Sequence, residues 1–212
     1  MKIVAIDDHL IITDSYVKFF KESGFEDTIF FNHPENCADY VSENRDVDLF
    51  LVDFGLPKSV KYNIENGGDL INVLRTFSPK AKFVIITLID VGVDLYLLQK
   101  KAKPDGIWYK GEVSFFNMLE DINRIMQGYS INTPIVQEKF NAISNYEDLI
   151  DKYDLEIISS LYKGVQNKEL ENIIPFSMSN INKRKADLKM LFGVESINNL
   201  DFINKLRSLN II

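Results

Sequence analysis

The 212-residue chain has one cysteine, two histidines and one tryptophan, and no apolar run long enough to cross a membrane. Each scarcity excludes something. The single cysteine, Cys37, rules out an internal disulfide framework and has no second thiol to share a metal, so it reads as a small, partly buried hydrophobe. His9 and His33 are isolated, which leaves no His–Cys cluster for a soft metal. A membrane span needs roughly 18 uninterrupted apolar residues, so no membrane partner is expected. The opening "MKIVAIDDHL" reaches two acids by position 8, which is not the pattern of a signal peptide. The expectation is a protein of the reducing cytoplasm.

What is present is the balance of a globular protein, 46% hydrophobic and 26% charged, with length for two domains. The net charge of −7 is spread unevenly: residues 1–146 carry −6 and residues 147–212 carry −1. Within 177–191, Lys183, Arg184, Lys185 and Lys189 face one acid, Asp187, for a local +3. Overall acidity argues against a nonspecific nucleic-acid coat, but a local basic helix is still able to read DNA.

The first 127 residues alternate β-rich runs with helical spacing. Strands are expected at 2–6, 27–31, 48–52, 82–87 and 106–109, and helices at 10–23, 35–44, 68–77, 91–102 and 114–127. Several strand runs are apolar without alternation, as in strands covered on both faces. The predicted fold is therefore a five-stranded parallel, doubly wound α/β domain over 1–127. Polar residues gather over 128–146, which reads as a linker. From 147 to 212 only helical patterns recur, at 147–163, 167–174, 177–191 and 198–208, giving an all-α second domain of four helices. In 198–209 the apolar stripe Leu200, Ile203, Leu206 and Leu209 fits either core packing or a dimer seam.

Ligands of an open parallel sheet bind at the carboxyl ends of its strands. There the sequence places Asp7 and Asp8 after the first strand, Asp53 after "LFLV", Thr87 closing the fourth and Lys110 closing the fifth. Three close carboxylates repel one another, and a hard divalent cation with oxygen ligands is their natural partner. Such a cation shields an incoming phosphoryl group and leaves Asp53 as a carboxylate nucleophile, with Thr87 donating to a phosphoryl oxygen and Lys110 pairing its charge. Individually these residues have plainer roles, as helix caps, turn formers or solvated side chains. A haloacid-dehalogenase-like phosphatase also places an Asp after a hydrophobic strand, but puts a second acid two residues on, where this chain has Gly55.

The segments "IDDH", "LFLVDFGLP", "VIIT" and "DGIWYK" resemble the receiver domain of bacterial two-component response regulators over roughly residues 1–125. The resemblance implies phosphorylation of Asp53 by a sensor histidine kinase. It also implies Mg²⁺ held by Asp8, Asp53 and the backbone carbonyl of Gly55, with Asp7 assisting through water. It implies no enzyme beyond self-phosphorylation and autodephosphorylation.

In the tail, "NKELENII", the turn "PFSMS" and the basic stretch after Ser177 read as a helix-turn-helix whose second helix enters a major groove. Asn180, Asn182, Lys183, Arg184, Lys185 and Lys189 are the candidate contacts to phosphates and base edges. "DLEIISSLYKGVQNKEL" with "FSMSNINKRKADLKMLFGV" resembles the four-helix DNA-binding domain of regulators related to LuxR, NarL and FixJ. Asn180, Arg184, Pro175 and Glu171 depart from its usual residues. The resemblance implies double-stranded DNA as partner and a homodimer when phosphorylated. The alternative is a phospho-switched module whose helical tail binds a protein.

Three departures concern the switch. Ile107 stands where receivers usually have an aromatic relay residue, Leu88 is bulkier than the usual neighbour of Thr87, and the segment after Pro57, "KSVKYNIEN", is long. Slow phosphotransfer, slow phosphate loss, or both are expected, and the long segment is a candidate site cover or kinase contact.

Overall fold

The computed structural model describes residues 1–196 and 198–212; the side chains of 10–13 also lie outside the description. The apolar spacing expected of the first helix is therefore seen only from Asp14 onward. Strands β1 (Ile3–Ile6), β2 (Thr28–Phe31), β3 (Leu49–Asp53), β4 (Lys82–Thr87) and β5 (Gly106–Tyr109) form one parallel sheet in the order β2-β1-β3-β4-β5. Between and after them run helices α1 (Leu10–Glu22), α2 (Pro34–Glu43), α3 (Gly67–Phe77), α4 (Gly92–Ala102) and α5 (Phe115–Met126). The parallel, doubly wound reading of the sequence holds, with element ends within two residues of expectation.

Strand residues alternate between the two faces. Ile3, Ala5, Leu49, Leu51, Val84, Ile86 and Trp108 pack with Tyr16 and Phe20 of α1 and Met118, Ile122 and Ile125 of α5. On the other face Phe50 and Phe83 stack at 5.1 Å, and the Arg75 guanidinium of α3 lies 4.7 Å from the Phe83 ring. Both faces are covered, which is why these strands read as continuous apolar runs.

The chain divides into two compact units, Met1–Leu88 with Lys101–Pro134, and Ile89–Lys100 with Ile135–Ile212. The stretch 128–146, expected to be a linker, is regular. Residues 131–133 run along β5: Ile131 N–H donates to Asp105 O and Thr133 N–H to Ile107 O, while Asn132 Oδ1 and Thr133 Oγ1 accept from Ile107 and Tyr109 N–H. Pro134–Ser144 forms α6. The polar residues that suggested a linker thus satisfy the open edge of β5.

The second unit is helical: most of α4, then α6, α7 (Lys152–Tyr162), a 3₁₀ turn at Asn167–Asn172, α8 (Met178–Leu191) and α9 (Asn199–Ser208). Its core joins Val93 and Tyr96 of α4 to Ile157, Ile158, Ile181, Leu188, Phe202 and Leu206. Asp94 of α4 accepts from Ser159 Oγ at 2.6 Å and pairs with Lys163 at 2.9 Å, and Val93 N–H donates to Ile211 O. In α9, Ile203 and Leu206 are buried in the core, whereas Leu200 is exposed. Gly164 (φ +80°) and Gly193 (φ +69°) follow α7 and α8 in the left-handed conformation that ends helices.

Candidate functional site

The register of the sheet decides what meets at its carboxyl edge. Ile6 pairs with Val52, Val52 with Ile85, Asp53 with Ile86, and Thr87 with Tyr109, so Asp7, Asp53, Thr87 and Lys110 all emerge on one rim. Asp7 and Asp53 are only 5% and 4% exposed, and Thr87 is fully buried. The Lys110 ammonium lies 2.7 Å from Asp53 Oδ1 and 3.1 Å from Asp7 Oδ2. Burial pushes the Asp53 carboxyl above its ordinary pKa; Lys110 opposes that shift, and Asp7 and Asp8 reinforce it. Burial works against the Lys110 charge, but Asp53 and Asp7 outweigh it and raise its pKa. Tyr16, nearly buried beneath the site, is likewise raised, first by burial and then by Asp7 and Asp53.

Asp7, Asp8, His9 and Asp53 offer donor atoms that lie within 4.8 Å of one another. Two glycines lie close to Asp53. A side chain at Gly55 would begin 3.3 Å from Asp53 Oδ2, so glycine keeps that oxygen accessible. A side chain at Gly67 would begin 2.1 Å from the Asp53 carbonyl, so the start of α3 approaches β3 only as glycine. Close oxygen donors around an uncrowded carboxylate fit a small hard cation. Asp7, Asp8 and Asp53 are the acids that could hold it.

The expected DNA contacts are placed unequally. Asn180, Asn182 and Lys183 are exposed on α8, in line with Ser179, Ala186 and Met190. Arg184 is turned back instead: it donates to Asp154 Oδ1 at 2.7 Å and Asp151 Oδ2 at 2.9 Å, and lies 4.9 Å from the Phe176 ring. Lys185 and Lys189 are 8% and 9% exposed, and Lys185 donates to Asn167 Oδ1. A helix shows one face outward, and Arg184 and Lys185 fall on positions facing α7 and the 3₁₀ turn, while Lys189 is buried. Ser177 caps α8 as its sequence suggests, accepting from Asn180 N–H. Glu171, one of the departures from the family's usual residues, is exposed and accepts from the Met178 N–H.

The long segment after Pro57 is a pinned hairpin. Ser59 and Ile64 exchange backbone hydrogen bonds, Ser59 Oγ donates to Glu35, and Lys61 and Tyr62 both bind Asp39 of α2. Its length is thus spent on α2, a use no sequence signal marked. Ile107 is buried within the sheet and Leu88 is exposed.

No protein-family model matches the chain, and no curated protein sequence matches it. Its fold, however, is that of solved two-domain response regulators. A structure of the response regulator RcsB in complex with DNA is 18% identical, with 98% of each chain covered and a TM-score of 0.66. RcsB from Salmonella enterica serovar Typhimurium, bound to promoter rprA in the presence of the phosphomimetic BeF₃⁻, is 18% identical over 99% of each chain, with a TM-score of 0.65. The isolated REC domain of that RcsB, also with BeF₃⁻, is 17% identical and covers 66% of this chain and 97% of its own, with a TM-score of 0.55.

Proposed function

We propose that this chain is a two-component response regulator, phosphorylated on Asp53 by a sensor histidine kinase and controlling transcription through DNA. The observation that carries the reading is the Lys110 ammonium bridging Asp53 and Asp7 on the rim where Thr87 also ends. Lys110 occupies Asp53 Oδ1, and Oδ2 lies beside Gly55. That oxygen attacks phosphorus, the bond from phosphorus to the donor's imidazole nitrogen breaks, and its electron pair stays on the nitrogen. The aspartyl phosphate carries about −2 where the carboxylate carried −1, and Lys110 and Thr87 would bind the added oxygens. A bound Mg²⁺ would supply screening of the phosphoryl charge, held by Asp8, Asp53 and the Gly55 carbonyl, with Asp7 acting through water.

For output, the RcsB structures that share this fold include DNA complexes, and we extend double-stranded DNA and phosphorylation-favoured dimerisation to this chain. Asn180, Asn182 and Lys183 are the residues of α8 left to meet a duplex. One observation favours a second reading, in which the helical unit binds a protein. Arg184, Lys185 and Lys189 are engaged or buried inside that unit, so its outward charge is smaller than the sequence suggests.

The test has two parts. Acetyl phosphate with Mg²⁺ should add one phosphoryl group to the intact protein, and Asp53→Asn should add none. Genomic DNA fragments should then be enriched for a two-half-site motif, more strongly with beryllofluoride. Affinity that falls steeply with salt supports DNA as partner, whereas no enrichment with or without beryllofluoride moves the reading to a protein partner.

A further inference from the structure

An amide on the exposed face of α8 is oriented from inside the helical unit. Lys185 is nearly buried, and its ammonium donates to the Oδ1 of Asn167, the first residue of the 3₁₀ turn. An ammonium has only donors, so it holds the Asn167 oxygen toward itself and turns the amide nitrogen away. Asn167 Nδ2 in turn donates to Asn182 Oδ1 at 3.2 Å and to Met178 Sδ at 3.5 Å. Both acceptors agree with that orientation, whereas the reverse would set the amide nitrogen against the ammonium.

The relay ends at an exposed residue. Asn182 shares the outward side of α8 with Ser179, Lys183 and Ala186. Its oxygen is committed to Asn167, which leaves Nδ2, with two hydrogens and no acceptor, as the end turned away from the 3₁₀ turn. Bidentate reading of adenine needs an oxygen for N6–H and a nitrogen for N7, both facing one base edge. An amide whose oxygen points back at the protein offers only half of that pair. Guanine presents two neighbouring acceptors in the major groove, N7 and O6, which suit an end that only donates.

We propose that Asn182 reads guanine, rather than the adenine that asparagine ordinarily reads, and that Lys185 and Asn167 are the positioning residues that set this choice. The inference rests on reading the helical unit as one that binds double-stranded DNA through α8. Lys185 acts without touching DNA: its charge fixes one amide, and that amide fixes the next. A nearly buried ammonium costs stability unless it is hydrogen-bonded, and here its hydrogen bond is the one that orders the reading face.

The experiment is selection from a randomised double-stranded DNA pool by the full-length protein with beryllofluoride and Mg²⁺. The wild type, Asn182→Ala, Asn167→Asp and Lys185→Met are compared. The wild type is expected to enrich guanine over adenine at least about fivefold at one position of each half-site. Asn182→Ala should erase the preference at that position alone. In Asn167→Asp both side-chain oxygens accept, so the Asn182 amide reverses and shows its oxygen. The position should then change to a base that donates, adenine or cytosine. Lys185→Met releases the Asn167 amide, and guanine and adenine should be enriched equally there. Base preference unchanged in both Asn167→Asp and Lys185→Met would overturn the proposal, whatever the affinity, because the relay would then not set the readout. So would an Asn182→Ala motif identical to that of the wild type, or one that loses a position where the wild type selects adenine. Enrichment of no motif by the wild type would instead bring down the DNA reading itself, and the inference with it.

Discussion

Lys110 is the one basic residue in contact with both nearly buried carboxylates of the rim, 2.7 Å from Asp53 and 3.1 Å from Asp7, among the described residues. A charge-assisted hydrogen bond of this kind contributes about 1.5–3 kcal/mol, equivalent to roughly a tenfold to hundredfold change in affinity. Lys110→Gln shortens the stem by one atom and removes the charge. Beryllofluoride affinity, followed through the fluorescence of the single Trp108 two residues earlier, should fall at least tenfold.

Gly67 and Gly24 make a matched pair for testing close approach against backbone conformation. A methyl group at Gly67 meets the Asp53 carbonyl at 2.1 Å, whereas one at Gly24 meets nothing but sits on a residue with φ +82°. Gly67→Ala should cost at least about 2 kcal/mol in denaturant titration, because the atom to be displaced is backbone. Gly24→Ala should cost about 1 kcal/mol and leave phosphorylation intact.

Lys185 carries a charge into the helical unit that burial disfavours, and neighbouring Lys189 adds to the penalty, so its pKa is lowered. The folded state then holds fewer protons than the unfolded chain between the lowered pKa and about 10.4, and stability rises with pH across that window. Lys185→Met should remove this rise and stabilise the protein at neutral pH by about 1 kcal/mol, or roughly 2–4 °C in Tm. Thermal melts of both proteins at neutral and alkaline pH check it.

Arg184 and Lys183 are neighbours in sequence with opposite expected roles. Although burial opposes it, hydrogen bonds from Arg184 and from backbone N–H groups hold the Asp151 carboxyl below its ordinary pKa. That contribution is present above the unfolded pKa of about 3.9 and is lost as pH falls through the lower folded value. Arg184→Met should lower neutral-pH stability by up to about 1 kcal/mol, since Asp151 is half-exposed, and blunt the acid limb of unfolding. Lys183→Ala should leave stability unchanged, weaken DNA binding and reduce its salt dependence by about one unit of slope.

The rim of the parallel sheet was legible because both its causes are local. Apolar runs mark the strands, and a parallel sheet places every residue that follows a strand on the same edge, so Asp7, Asp8, Asp53, Thr87 and Lys110 needed only counting. Residues 131–133 were misread as linker because their polarity serves the hydrogen-bonding groups of β5, and nothing in "INT" says that a strand edge lies alongside. The four bases near 183–189 were legible as charge but not as surface. Helical spacing gives their relative directions, whereas the inward direction is fixed by α7 and the 3₁₀ turn, which set Arg184 against Asp151 and Asp154 and bury Lys185.

The sequence by itself determined the order of strands and helices, the ends of α7 and α8 at glycine, and the chemistry at the sheet edge. Those features follow from side-chain period, backbone freedom and charge, which are properties of short segments. Only the tertiary structure decided that α4 shares a core with α6 to α9, that the segment after Pro57 is tied to α2, and that His9 faces Asp7 and Asp8. Each of these depends on distances between groups brought together by packing. An acid such as Asp94 or Asp39 looks solvated until its partner is in place.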